Sequence, residues 1–467
     1  MRPTSLLATA VVALAATLSA QEKPATPALA AAPDPDAQML RRIYDAALVD
    51  SPAYENLREL TARFPGRLAG TPAYHGAEAW AENLLKQLGC DRTELQSTLV
   101  PHWERGGPES VRLVRANSAS AALSAVALGG SVPTPAAGLT APVVELHSLD
   151  ELATADVRGK IVFFNGAMNP RYVTPGQAYG ESGKQRNQGP AEAAKHGAVG
   201  VLVRSLTHRL DDVPHTGNTT YLPDVPRIPA AALSTVAAEQ LSAALKTDAA
   251  LQVSMQINSS WHDDWPAANV IGELRGSESP EKILLIGGHL DCWDIAPGAH
   301  DDGAGVVQSI DVLRILKSVG YTPKHTIRAV LFANEENGLR GATRYAEVAG
   351  EKHELHLLAL ETDGGGFSAR GFNIGNAAGD AHLKAARFKP LFEPYGVFIF
   401  QAGRGGADVG PLMAKGNTVA GLIPEAQRYF DIHHTREDTI DKVNKRELEL
   451  GAAAMAALIY VVDQHGL

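Results

Sequence analysis

At 467 residues the chain is too long for one ordinary hydrophobic core, so two or three domains are expected. Its 45% apolar and 20% charged content is that of a soluble globular protein. The net charge of −10 leaves no basic patch, which argues against nucleic acid as a partner and fits solubility and, more weakly, cation binding.

The N-terminus carries Arg2, an apolar run from Leu6 to Leu18, and Ser19-Ala20 ahead of the polar Gln21-Glu22-Lys23-Pro24. That run is too short to span a bilayer comfortably, and its charge and small residues read as a secretory signal over 1–20. An exported chain, periplasmic or secreted, then starts near Gln21 and has no membrane partner after signal removal; the competing reading is an uncleaved anchor. Residues 21–36, rich in Pro and Ala, cannot bury a core and read as a disordered leader.

Helical patterns follow over 37–62 and 74–88, joined by the turn-forming stretch Phe64 to Pro72. Asn117 to Thr140 is mostly small residues and reads as a domain boundary. Beyond it, Gly159 to Phe164 and Val201 to Val203 are strand-like. Gly189 to His196 is a helix candidate capped by Gly197, and Ile228 to Leu233 leads into a helix from Thr235 to Leu245. Ionisable residues are sparse at these strand ends, which suggests a covering or docking domain ending near Ile257. The Trp261-His262-Asp263-Asp264-Trp265 run is metal-like in composition. Its residues are consecutive and outside any strand-end context, so a surface linker is expected.

Three apolar runs then end in acids or imidazole. Ile283 to Ile286 precedes the loop Gly287 to Gly305, which holds His289, Asp291, Asp294, His300, Asp301 and Asp302. A helical period (Val306, Ile310, Leu313, Leu316) follows that loop and ends at Gly320. Ile327 to Phe332 precedes Glu335 and Glu336, and Leu357 to Leu360 precedes Glu361 and Asp363. A fourth cluster, Asp431 to Thr439, contains His433 and His434, and Arg446 to Asp463 reads as a helix covering the sheet. In open α/β sheets ligands bind beyond the carboxyl ends of the strands, so these clusters form one candidate site.

Peptide hydrolysis needs a nucleophilic water, a base and positive charge for the oxyanion. Two divalent metals about 3.5–4 Å apart supply the water and the charge when one carboxylate bridges them. His289 two residues before Asp291 suits a ligand and the carboxylate that orients it. Asp301 or Asp302 suits the bridge, and the adjacent Glu335 and Glu336 suit one base and one ligand. Of the two cysteines, Cys90 and Cys292, a disulfide is one reading. A thiol near metal is another, weakened by the ligands around Cys292.

The His-Leu-Asp-x-Trp-Asp run at His289 to Asp294, with Leu128-Gly129-Gly130-Ser131 and Pro214-His215-Thr216-Gly217, resembles the co-catalytic dizinc exopeptidases related to bacterial leucyl aminopeptidase. Within them the resemblance is to the carboxypeptidase Q branch, and it covers nearly all of the mature chain. It implies an α/β fold of the three-layer α/β/α zinc-exopeptidase type with a mixed central sheet. The catalytic domain would be 37–122 and 259–467, and an inserted protease-associated-like domain would be 123–258. Carried over residue by residue, Asp301 bridges two Zn²⁺ per chain, His289 and Asp363 complete one site, and Glu336 and His434 complete the other. Glu335 becomes the general base, with Asp291 beside it in the catalytic set, and Asp438 supports the ligands from behind.

His434 is preferred to His433 because the family pattern of His, small hydroxyl, two residues and Asp matches His434, Thr435 and Asp438. A cis peptide between Asp301 and Asp302 and a homodimer are also implied. The implied substrates are short peptides, most of all unblocked dipeptides. The alternatives are a broad aminopeptidase or, in another class, a non-catalytic binding or receptor protein. Gln401 to Gly410, with Asp408, matches the branch only loosely and is expected to line the substrate pocket.

Overall fold

The structure, a computed structural model, describes residues 34–115, 118–248 and 250–467. The expected signal and most of the expected leader, residues 1–33, lie outside them. No helix among the described residues is long and apolar enough to cross a membrane.

The central sheet has eight strands, in the order Arg92–Glu104, Ser260–Leu274, His325–Phe332, Ser279–His289, Leu355–Glu361, Val419–Pro424, Ala369–Gly375, Ile399–Ala402. Its middle four are mutually parallel, and antiparallel pairs flank them, so the sheet is mixed. The uninterrupted apolar run at Ile283 to Ile286 follows from burial on both faces. Leu284 and Ile286 join Leu358, Leu360, Ile327 and Leu331 in a core shared with the helices Ala304–Ser318 and Lys445–His465. Ile283 and Leu285 join Val330, Phe332 and Ala359 against Tyr345 of the helix Arg340–Glu351. Helices thus cover both faces, giving the three layers expected.

The helical stretch expected over 37–62 is two helices, Pro35–Val49 and Ala53–Arg63. Pro52 breaks it, since it has no N–H to donate and restricts the residue before it. The Ser51 hydroxyl there accepts from the Ala53 N–H at 3.1 Å.

A second eight-stranded sheet is built wholly from strands lying between residues 110 and 256. The chain leaves the central sheet after Glu104 and re-enters it at Ser260. The second sheet therefore starts at Ser110, not near 123, and the small-residue stretch expected to be a boundary supplies the strands Ser118–Leu123 and Ala125–Ala127. Small side chains suffice there because ladder pairing uses backbone groups alone.

The Trp261 to Trp265 run is not a linker. It lies in the strand Ser260–Leu274, paired along Arg92–Glu104 with His262 opposite His102. The pairing partner lies more than 150 residues away in sequence, so local composition carries no sign of it. The helix Pro175–Asn187 was also unanticipated, because its three glycines and polar residues show no apolar stripe.

Candidate metal centre

Parallel pairing places three strand ends side by side: His289 ends one strand opposite Phe332, and Glu361 ends the next opposite Gly287. Glu335, Glu336 and Asp363 follow those ends directly. Asp301 is delivered by the turn before the helix Ala304–Ser318, and His434 by the loop after Tyr429–Asp431. The Asp301–Asp302 peptide is cis, as the resemblance implies.

Asp301 is the hub. Its Oδ1 is 3.3 Å from His289 Nε2, and its Oδ2 is 3.3 Å from His434 Nε2 and 3.6 Å from His433 Nε2. His289 Nε2 lies 3.7 Å from Asp363 and 4.0 Å from Glu335, while His434 Nε2 lies 3.1 Å from Glu336. The five expected ligands and the expected base therefore converge. His433, stacked on His434 with ring centroids 3.5 Å apart, faces Asp301 too.

These groups suit divalent cations. His289 Nε2, Asp301 Oδ2 and Glu336 Oε1 are buried without a hydrogen-bond partner, an arrangement native proteins avoid unless an ion or water completes it. Burial opposes a charge on His289, but the close carboxylates of Asp301 and Asp363 outweigh it and hold its pKa well above the ordinary value. Its carboxylate neighbours thus favour a cation at that nitrogen. Burial holds His434 and His433 well below the ordinary value, so both are neutral and free to ligate. Glu335 is pushed up to about 8, first by burial and then, against His289, by Asp363, Asp291 and Asp301.

The supports behind these groups differ in detail from the expectation. His289 Nδ1 is paired at 3.1 Å with the backbone carbonyl of Asp291, whose carboxylate is farther, at 3.8 Å. That carboxylate instead accepts the backbone N–H groups of Glu335, at 3.1 Å, and Glu336, at 3.3 Å, and so fixes the turn carrying both acids. Asp438 accepts the N–H groups of His300, at 2.7 Å, and Asp301, at 3.0 Å. Asp302 accepts those of His289 and Gly305, each at 3.0 Å, which places it behind the site. Thr435 pins the His434 loop by donating to Ile432 O at 2.7 Å and accepting from Glu437 N at 3.1 Å.

The second sheet reaches the same loops. His434 Nδ1 pairs with Thr216 O at 3.3 Å, and Thr216 N donates to His434 O at 3.0 Å. His215 Nδ1 pairs with His433 O at 2.8 Å. From the signature run, Asp294 forms a two-pronged pair with Arg105, both contacts at 2.7 Å, and the buried Trp293 ring occupies the space where a side chain on Gly129 would lie.

Among the residues singled out earlier, Asp408 does not line the cleft. It is buried beside Glu361, whose carboxylate accepts the Val409 N–H at 2.8 Å. Cys90 and Cys292 are unpaired. Burial pushes the Cys292 thiol up to about 11, and it donates to Ala296 O at 3.5 Å, so it is no thiolate ligand.

The site opens into a cleft of ≈ 350 Å³ lined by Asp301, Glu335, Glu336, Asp363, His433 and His434. Tyr179, Arg186, Asn187 and Asn218 from the second-sheet segment line it as well, with Tyr429 and Phe430.

The model of peptidase family M28 matches residues 269–459. Carboxypeptidase Q of Xenopus laevis is 33% identical over 412 residues, 88% of this chain and 85% of that one. Aminopeptidase YwaD of Bacillus subtilis is 26% identical over 419 residues, 87% of this chain and 84% of that one. A solved structure described as a peptidase M28 precursor from Shewanella amazonensis is similar with a TM-score of 0.86 at 34% identity, covering 92% of this chain and 96% of that one.

Proposed function

From the premise that the chain belongs to peptidase family M28, we propose that it is a zinc-dependent exopeptidase of short peptides, most of all unblocked dipeptides. The observation that carries this reading is Asp301, whose two oxygens each face a different imidazole at 3.3 Å. In it Asp301, His289 and Asp363 would hold one zinc ion and Asp301, Glu336 and His434 a second, with Asp301 shared. Imidazole with carboxylates suits zinc, as the names of similar zinc aminopeptidases also suggest.

When bound, the ions supply positive charge for the scissile carbonyl and lower the pKa of the attacking water. The rest falls to the chain's own residues. Glu335 takes the proton from that water and returns it to the leaving amine, a task suited to a carboxylate whose pKa lies near neutrality. Asp291 holds Glu335 and Glu336 through their backbone, and Asp438 holds Asp301. The segment 110–256 covers the site as a protease-associated-like unit. The small cleft, at the low end of ligand pockets, favours a short substrate over a long chain.

Glu335→Gln is the test. It should retain its metals and lose turnover by ~10²–10⁴-fold, the usual contribution of a general base. Near-normal rates in that variant would dispose of the role. The relative named aminopeptidase YwaD favours the alternative of a broad aminopeptidase. One dipeptide supplied free, N-acetylated and C-amidated separates the two. Cleavage of the free form alone supports the dipeptidase, and cleavage of the amide but not the acetyl form supports the aminopeptidase.

A further inference from the structure

Arg186 lies in the last turn of the helix Pro175–Asn187 and lines the cleft, yet only 6% of it is exposed. Its Nη2 donates to the Tyr179 hydroxyl at 2.6 Å, its Nη1 to Thr216 O at 3.4 Å and its Nε to Asn187 Oδ1 at 3.3 Å. All three partners are neutral, and two of the contacts are long. No carboxylate among the described residues lies within 4.0 Å of it. Other buried arginines are neutralised or sealed in: Arg105 pairs with Asp294 and Glu109, and Arg328 with Glu273 and Glu354. Arg67 lies under the site loop, where carbonyls of Leu290, Pro297 and Gly298 receive it, and it is not part of the cleft wall.

A guanidinium keeps its charge at every working pH, and leaving such a charge buried and unpaired is strongly unfavourable. The surroundings nonetheless hold it in place. The guanidinium lies 5.2 Å from the centroid of the Tyr179 ring, and that ring packs on Phe430 and on His433. On its other side Gly217 has φ +139°, and a Cβ there would lie 2.5 Å from the guanidinium carbon, so only glycine leaves the fork its room.

A planar cation with free donors, in a cleft that the expected metal-binding acids also line, matches one substrate group: a carboxylate. We propose that Arg186 anchors the free α-carboxylate of the substrate, so that the site reads the carboxyl end of a short peptide. Asn187 and Asn218 add further polar groups to the lining of the same cleft. This rests on the exopeptidase reading above and adds to it the terminus that is recognised.

The test compares a free dipeptide with its C-terminal amide on the metal-loaded enzyme and on Arg186→Gln and Arg186→Lys. Metal content and thermal midpoints are recorded for each protein. The wild type should prefer the free acid by about 10²-fold in kcat/KM, chiefly through KM, the usual loss when one partner of a desolvated charge pair is removed. In Arg186→Gln that ratio should collapse to a few-fold. Arg186→Lys, which keeps the charge without the fork, should fall between and serves if the Gln variant does not fold. An acid-to-amide ratio near one in the wild type, or an unchanged ratio in either variant, overturns the proposal. A parallel calorimetric titration with a single amino acid and its amide needs no turnover. If no peptide is cleaved in any form the exopeptidase reading fails. The anchor then stands on an Arg186-dependent preference for the free acid in that titration and falls without one.

Discussion

Replacing Asp291 by Asn tests whether the site is held from behind by the backbone contacts seen in the structure. The two carboxylate oxygens of Asp291 accept from Glu335 N at 3.1 Å and Glu336 N at 3.3 Å, and the side chain is fully buried. An amide has one oxygen. Whichever N–H it keeps, the other meets an NH₂ group and loses its acceptor. Losing a hydrogen bond to a charged acceptor costs about 1.5–3 kcal/mol, and leaving a buried N–H unpaired costs about 1–3 kcal/mol. Part of that cost moves the turn carrying the expected ligand and the expected base. Zinc affinity should fall by roughly 10–100-fold, as for other residues that orient metal ligands, and kcat at saturating zinc should fall as well. Competition with a chelator of known affinity gives the first quantity and turnover at saturating metal the second. Affinity within twofold of wild type, together with unchanged kcat, would refute the reasoning.

The cover and the charge balance of the site give two more predictions. Gly129→Ala pushes a methyl into the buried Trp293 ring and should destabilise the protein by about 1–3 kcal/mol. Trp293→Phe in the same chain should recover part of that loss, and a Gly129→Ala protein that melts like wild type would show the packing to be looser than described. In chelated, metal-free protein, burial pushes Glu335 up to about 8 and Glu361 up to about 7 from an ordinary 4.5. The folded chain then binds protons the unfolded chain has released, so stability falls as pH rises from 6.5 towards 8. Below about 6.5 the sign reverses for the buried neutral His215, His300 and His356, which is why the window starts there. Thermal midpoints should drop across that window without metal and stay level with zinc bound. Equal profiles would contradict the account.

The candidate site was legible because three of its expected ligands are side chains that follow the ends of apolar runs. Parallel pairing of those runs, which their continuous hydrophobicity reflects, brings His289, Glu336 and Asp363 together. What was illegible has a common cause. The acceptor for His289 Nδ1 is a backbone carbonyl, and the donors to Asp291 and Asp438 are backbone N–H groups, none of which marks the sequence. Arg186 comes from a glycine-containing helix without an apolar face and owes its meaning to a cleft formed by two distant sheets. The Trp261 to Trp265 strand and the strand Ala125–Ala127 are set by partners remote in sequence, so composition alone suggested a linker at the first and a domain boundary at the second. Asp408 lies in a glycine-rich stretch with no other acid nearby in sequence, and its burial beside Glu361 is set by the fold.

The central claim is that one carboxylate, Asp301, joins two metal sites in a working peptidase. The most direct measurement is elemental analysis of zinc per chain as metal is restored to the chelated protein, with dipeptide hydrolysis followed in the same samples, for wild type and Asp301→Asn. The account predicts two zinc ions per wild-type chain, activity that levels off at the second equivalent, and loss of both ions in the variant. Full activity at one ion per chain, or an Asp301→Asn protein that keeps two, would contradict it.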